Sequence, residues 1–354
     1  MFKQKKSLLS IIAVAAFLLL PSTLIAHHST THFSDEVTEM EGTLVDLHWR
    51  NPHVYFFLEI EEADGEKKIW EMEAGTIYMI GRAGVTEDLF TVGDTIRVAG
   101  NKSDLYADKF WLTNVMGQDG KEILVVAGGG ARWTDEVIGG RRQWTNDAFL
   151  QGEESTYSSG NGIFRVWSPV IGETPRVTGL PNNRIGQIAT EQGLAGRDTW
   201  DPYAFDDACE IPGMPRINDA PHPHQFIQDG DNIILIGEEF YAPRTIHMNS
   251  NIDPNTQPYS KFGYSVGQWQ DENTLVIETS RIDYDRLDLS GVAQSNQTTV
   301  IETYRLSESE NRMDYEVITR DPVMLSEPYV RRGVWMDLGE TFDEFDCVPK
   351  GVSE

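Results

Sequence analysis

The sequence predicts an all-β protein in two parts: a small OB-like Greek-key barrel, then a larger antiparallel β-barrel or sandwich built as a lipocalin-like meander. Three observations predict it. Short runs rich in Val, Ile, Thr and aromatic residues alternate apolar with polar positions, the period of a half-buried strand. Tight-turn sequences such as Asp64-Gly65 and Asp119-Gly120 separate the runs. In the second half, successive runs are divided only by short turns, so neighbours pair antiparallel.

Residues 1–26 read as a cleavable secretory signal. Lys3, Lys5 and Lys6 give a positive start, Leu8 to Leu20 is an apolar run, and Thr23-Leu24-Ile25-Ala26 ends on a small residue. The apolar run falls short of the roughly 20 residues that span a bilayer. An uncleaved membrane anchor is the competing reading.

Residues 27–126 form the OB-like part. Glu41 to Leu47 and Val54 to Ile60 alternate as strands, and Asp64-Gly65 turns the chain into Lys67–Glu73. A short helix is predicted around Ile77–Arg82. Thr95–Ala99, Phe110–Val115 and Glu122–Val126 complete a set of five or so strands, with a small sandwich as the alternative architecture.

Residues 127–208 read as an irregular connection. Gly, Pro, Asn, Thr and Asp recur there, and Trp133, Trp144, Trp167 and Trp200 are expected to anchor it onto the domains; Gly162–Trp167 could open the next domain. From 209 to 354 the strand pattern returns. Asn232–Phe240, Thr245–Asn249, Ser265–Gln270, Thr274–Arg281, Thr298–Leu306, Arg312–Thr319 and Val330–Met336 are its strands. Alternation places Leu275, Ile277 and Thr279 on one face, with Val276, Glu278 and Ser280 on the other.

Charge narrows the function classes. The formal net charge is -27, and removing three leader lysines takes it to -30. Such a surface repels nucleic acid and anionic membranes, both of which are bound through Lys and Arg. No second run of spanning length follows, so no stable membrane insertion is expected after cleavage. The two cysteines, Cys209 and Cys347, are expected to form one disulfide in an oxidising compartment. The alternative is two free thiols.

Five of eight histidines fall between 27 and 53. Cleavage after Ala26 would make His27 the N-terminus, so its amine and imidazole could chelate one metal ion, with His28 or His53 adding a further nitrogen. Nitrogen-rich sites of this kind suit copper, with other transition metals such as nickel or zinc possible. The competing reading is a frayed tail and an ordinary polar turn at Asn51-Pro52-His53. A second metal candidate is His222-Pro223-His224 with His247, helped by oxygens of Glu238, Glu239 or Asp219. His48 is expected to face solvent.

Glu238, Arg244, Glu278, Glu302 and Arg305 lie on or near predicted strands and are the candidates for a ligand pocket in the barrel. Buried inward they would have to be paired and would mark a polar or catalytic site. Facing outward they would be ordinary cross-strand pairs. No nucleophile elbow, phosphate loop, dinucleotide fingerprint or His-Glu-x-x-His motif occurs.

His27-His28-Ser29, Phe33, Gly42 and Trp49-Arg50-Asn51-Pro52-His53 resemble an uncharacterised family of small exported bacterial proteins, marked by His-His-Ser and Trp-x-Asn-Pro-His. Cys209, Ile211 to Arg216, Ser265 to Trp269, Thr274 to Thr279 and Asp321-Pro322 resemble a widespread exported β domain of unknown role, which usually has Gly-Arg-Trp where this chain has Gly267-Gln268-Trp269. The resemblance implies a bacterial, periplasmic or secreted protein and no reaction. The function expected is therefore a binding or accessory protein, in its sharpest form a copper or transition-metal binder at the mature N-terminus. The alternatives are an enzyme acting on a small molecule in the C-terminal barrel, and a scaffold for an exported protein partner.

Overall fold

The computed structural model describes residues 33–62, 64–126, 129–140, 162–170, 184–197, 200–201, 204, 208–248, 251–308, 311–341 and 344–350. Among them the N-terminal part is a sheet of seven strands: β1 (Phe33–His48), β2 (Tyr55–Glu61), β3 (Lys67–Glu73), β4 (Thr95–Ser103), β5 (Lys109–Met116), β6 (Glu122–Leu124) and β7 (Val137–Gly139). β1 pairs with both β2 and β4, and β3 pairs with β5 in parallel, so the first five strands close on themselves in the order 1-2-3-5-4. A short helix, α1 (Ile77–Arg82), bridges β3 and β4; Thr76 caps it by accepting from the Met79 amide at 3.2 Å. This is the OB topology.

β1 starts eight residues before the alternation of Glu41 to Leu47 shows it. Its first half pairs with β4 from Phe33 to Thr43 and its second half with β2 from Thr43 to His48, with a bulge between Leu44 and Asp46. In the first half most side chains after Phe33 stay in contact with water, so no apolar period marks it. Inward residues Leu44, Phe56, Leu58, Trp70, Met72, Val98, Phe110 and Leu112 fill the core. Where β4 crosses β5, Gly100 is obligatory: a Cβ there would sit 1.9 Å from the Trp111 carbonyl oxygen.

The second part is a closed barrel of nine strands among the described residues: β8 (Val166–Pro169), β9 (His224–Asp229), β10 (Asn232–Gly237), β11 (Ala242–Met248), β12 (Tyr264–Asp271), β13 (Thr274–Ser280), β14 (Thr299–Leu306), β15 (Arg312–Arg320) and β16 (Tyr329–Met336). It is a meander with one exception to antiparallel order. β11 and β12 run parallel, because the chain between them returns to the end where β11 began. The barrel closes through β8, which pairs with β16 and β9. The boundary expected at 209 therefore gives way to one inside 127–208: β7 in that stretch extends the OB-like sheet and β8 completes the barrel. Trp167 is fully buried in the barrel, Trp133 reaches Glu39 at 3.2 Å, and Trp200 donates to the Leu289 carbonyl at 3.1 Å. Trp144 lies outside the described residues.

One half of the barrel interior is apolar and aromatic, from Phe226, Ile233, Leu235, Ile246, Leu275, Ile277, Leu306 and Trp335. The other end is stoppered by the segment around Met214 and Ile217, packed on Ala242, Ile282, Val300 and Val317. Cys209, just upstream of that stopper, is bonded to Cys347.

Candidate functional site

The loop between β1 and β2 carries His53 to the outer face of the OB-like barrel. The register there aligns Tyr55 with Glu73 and Glu73 with Trp111, so one aromatic, one carboxylate and one indole stand in a row beneath the loop. His53 Nδ1 lies 3.1 Å from the Ala74 carbonyl oxygen and 3.4 Å from Glu73 Oε1. A carbonyl can only accept, so Nδ1 carries a proton. A backbone carbonyl and a carboxylate behind one ring nitrogen is the arrangement that prepares the other as a metal ligand. The ring stands edge-on to Tyr55 and Trp111, with centroids 6.5 and 6.4 Å away, and Trp111 lies 6.0 Å from Phe33. Trp111 thus stands between the start of β1 and His53. His27 and His28 lie outside the described residues. His48, half-exposed, bonds Asp46 at 3.1 Å.

The second histidine group is dispersed. His222 is fully buried, with Nδ1 3.3 Å from Glu238 Oε2. His224 turns into the barrel and stacks on Trp335 at 4.5 Å. Burial pushes its imidazole pKa down to about 4; a backbone contact with His222 opposes the shift, the charges of His222 and Arg244 add to it, and Glu238 opposes it. Neither ring nitrogen of His224, nor His222 Nε2, makes a hydrogen bond. His247 sits five residues along β11 from Ala242, stacked on Tyr264 at 4.6 Å, away from the other two. Among the described residues no three His, Cys, Asp or Glu side chains form a group able to hold a metal. The expected joint site of His222, His224 and His247 is therefore not assembled. Alternation sends His224 inward and the bend before β9 turns His222 toward the rim.

The five pocket candidates also part company. Arg244 and Glu302 meet inside the barrel as a bidentate pair, with Nη1–Oε2 at 2.6 Å and Nη2–Oε1 at 2.8 Å. Arg244 also donates to Ser265 and Thr279, while Tyr304 and Asn218 donate to Glu302. Burial alone would lower the Arg244 pKa, but the Glu302 carboxylate outweighs it and raises it. The Tyr304 hydroxyl is pushed well above its usual value by burial first and by Glu302 next. Every carboxylate oxygen of Glu302 is thus engaged, so this pair cements the barrel rather than waiting for a ligand. Glu278 and Arg305 face solvent, as alternation about inward Ile277 and Tyr304 dictates. Glu238 belongs to the rim: fully buried, it takes a two-pronged bond from Arg82 of α1, at 3.0 and 2.5 Å, and so joins the barrel to the OB-like part.

Asn218, Ser265, Thr279 and Arg82 were not legible as partners from the sequence. Each comes from a segment remote from the charge it meets, and only strand register or domain docking brings them together. No helix among the described residues is long and apolar enough to cross a membrane. No curated protein and no solved structure matches the chain. Residues 16–105, which include the first four strands of the OB-like barrel, match the model of a family of unknown function, DUF6152.

Proposed function

We propose that the protein is an exported binding protein that takes a transition metal, copper above all, between its mature N-terminus and His53. Export would follow cleavage after Ala26, and the Cys209–Cys347 disulfide fits an oxidising compartment such as the periplasm. The observation that carries the reading is the contact chain Phe33–Trp111–His53, which links the beginning of β1 through one indole to a histidine whose Nδ1 is held by a carbonyl and a carboxylate. Residues 27–32 are six in number and span at most about 20 Å, enough to bring the amine and imidazole of His27 to His53 Nε2. Three nitrogens from two residues, each binding in its deprotonated form, suit Cu(II).

The test is titration of the secreted protein with Cu(II), followed by electron paramagnetic resonance. It is repeated on a form with one extra residue before His27 and on His53→Ala. Both changes should weaken binding about tenfold or more. Undiminished affinity in the extended form would end the amine-chelate idea. The filled barrel and the fully engaged Arg244–Glu302 pair argue against the alternative of a small-molecule enzyme.

A further inference from the structure

The last described residues, 344–350, run across both parts of the molecule. Tyr78 of α1 donates to the Glu344 carbonyl. Phe345 is buried between Tyr78, His222 and Phe240, with centroids at 6.3, 5.4 and 5.2 Å. Cys347 bridges Asn51, and the Val348 amide donates to the Asn51 carbonyl at 3.2 Å. Lys350 reaches the outer face of the OB-like sheet: its Nζ is 2.6 Å from Glu71 and 5.0 Å from the Tyr55 ring centroid.

These contacts share a single covalent fastening. Cys347 is bonded to Cys209, which leads into the Met214–Ile217 stopper of the barrel. Both cysteines are half-buried, and Ala208, Glu210 and Asp346 beside them are exposed, so a reductant can reach the bond. Cys209 has φ of 54°, a left-handed conformation that a residue with a Cβ rarely holds. The barrels themselves close through strand pairing, and their apolar cores include neither cysteine.

We propose that residues 344–350 are a strap, fastened by the Cys209–Cys347 bridge, whose release by thiol–disulfide exchange uncovers the outer sheet face and the 51–53 loop while both barrels stay folded. A dithiol reductant supplies the chemistry. Its thiolate attacks one sulfur of the bridge, a mixed disulfide forms, and its second thiol closes on the first. The dithiol is oxidised to a disulfide; its two electrons and two protons leave Cys209 and Cys347 as thiols. Strain in the Cys209 backbone and exposure of its neighbours place this bridge among those open to exchange. The device stands whether or not a metal binds at His53.

Hydrogen exchange read by mass spectrometry tests it, on the native protein with and without dithiothreitol and on Cys209→Ser/Cys347→Ser. On reduction, amides of 344–350 and of 51–53 should exchange about tenfold faster or more, with β2, β3 and β12–β15 unchanged. The double variant should match the reduced protein and ignore the reductant. Unchanged protection of 344–350 after complete reduction would overturn the proposal. So would loss of protection throughout β12–β15, since the bridge would then be a staple of the whole fold. If the double variant does not accumulate, stepwise reduction of the folded native protein gives the same two outcomes.

Discussion

Acidification should weaken this protein through one residue in particular. His224 is completely buried, and burial holds its pKa at about 4 against the usual 6.5 or so of an exposed imidazole. In the unfolded chain it accepts a proton near pH 6.5; in the folded barrel it does not until about pH 4. The folded state is therefore favoured fully above pH 6.5. That contribution drains away as pH falls toward 4 and stays lost below it. A gap of about 2.5 pH units corresponds to about 3 kcal/mol. Urea unfolding at pH 7, 5.5 and 4 measures it, with His224→Phe as the reference. Phe keeps the stack on Trp335, discards nitrogens that make no hydrogen bond, and cannot titrate. At pH 7 the variant should lie within about 1 kcal/mol of the parent, since the change roughly conserves volume. Between pH 7 and 4 the parent should lose about 3 kcal/mol more than the variant, other carboxylates and histidines cancelling in the difference. Parallel pH profiles for the two proteins would refute the account.

Other outcomes follow from the same structure. Glu302→Gln leaves Arg244 buried without its counter-charge and should cost about 3–5 kcal/mol in chemical denaturation, whereas replacing Arg244 and Glu302 together by Met and Leu should cost much less. Gly100→Ala drives a methyl into the Trp111 carbonyl and should prevent normal closure of the OB-like barrel, read as lost near-ultraviolet circular dichroism; a near-native spectrum would count against the β4–β5 crossing described. Burial raises the Glu71 pKa, but Lys350 and Lys109 outweigh it and hold the carboxyl below its usual range. Its contribution to strap docking should accordingly be intact above the ordinary carboxylate range and fail as pH falls below it, seen as acid-induced exchange at 348–350 that Lys350→Ala abolishes.

Much of the architecture was written locally. Alternation placed Leu275, Ile277 and Thr279 on one face, and that face points into the barrel. Asp64-Gly65 and the Ile77–Arg82 helix fell where turn chemistry and periodicity put them. The cysteine pair joined as the count suggested. These features depend on near neighbours in the chain, whose side-chain directions are fixed by strand or helix geometry. Strand β8 was harder to see because four residues carry too few alternations to declare a period.

Tertiary structure decided which charges meet. The sequence could name Arg244 and Glu302 as candidates, but their pairing rests on the registers of β11 through β14, and Asn218 arrives from the stopper. Glu238 looked like a barrel-pocket residue and became a joint, because Arg82 of the other part docks on it. His53 shows the division most clearly. Its place after Asn51-Pro52 is local information; the carbonyl and carboxylate behind its Nδ1, and Trp111 between it and Phe33, exist only once β2, β3 and β5 lie side by side. Hydrogen bonds and charge pairs act over a few ångströms, and a linear chain does not state which remote residues folding will bring within that range.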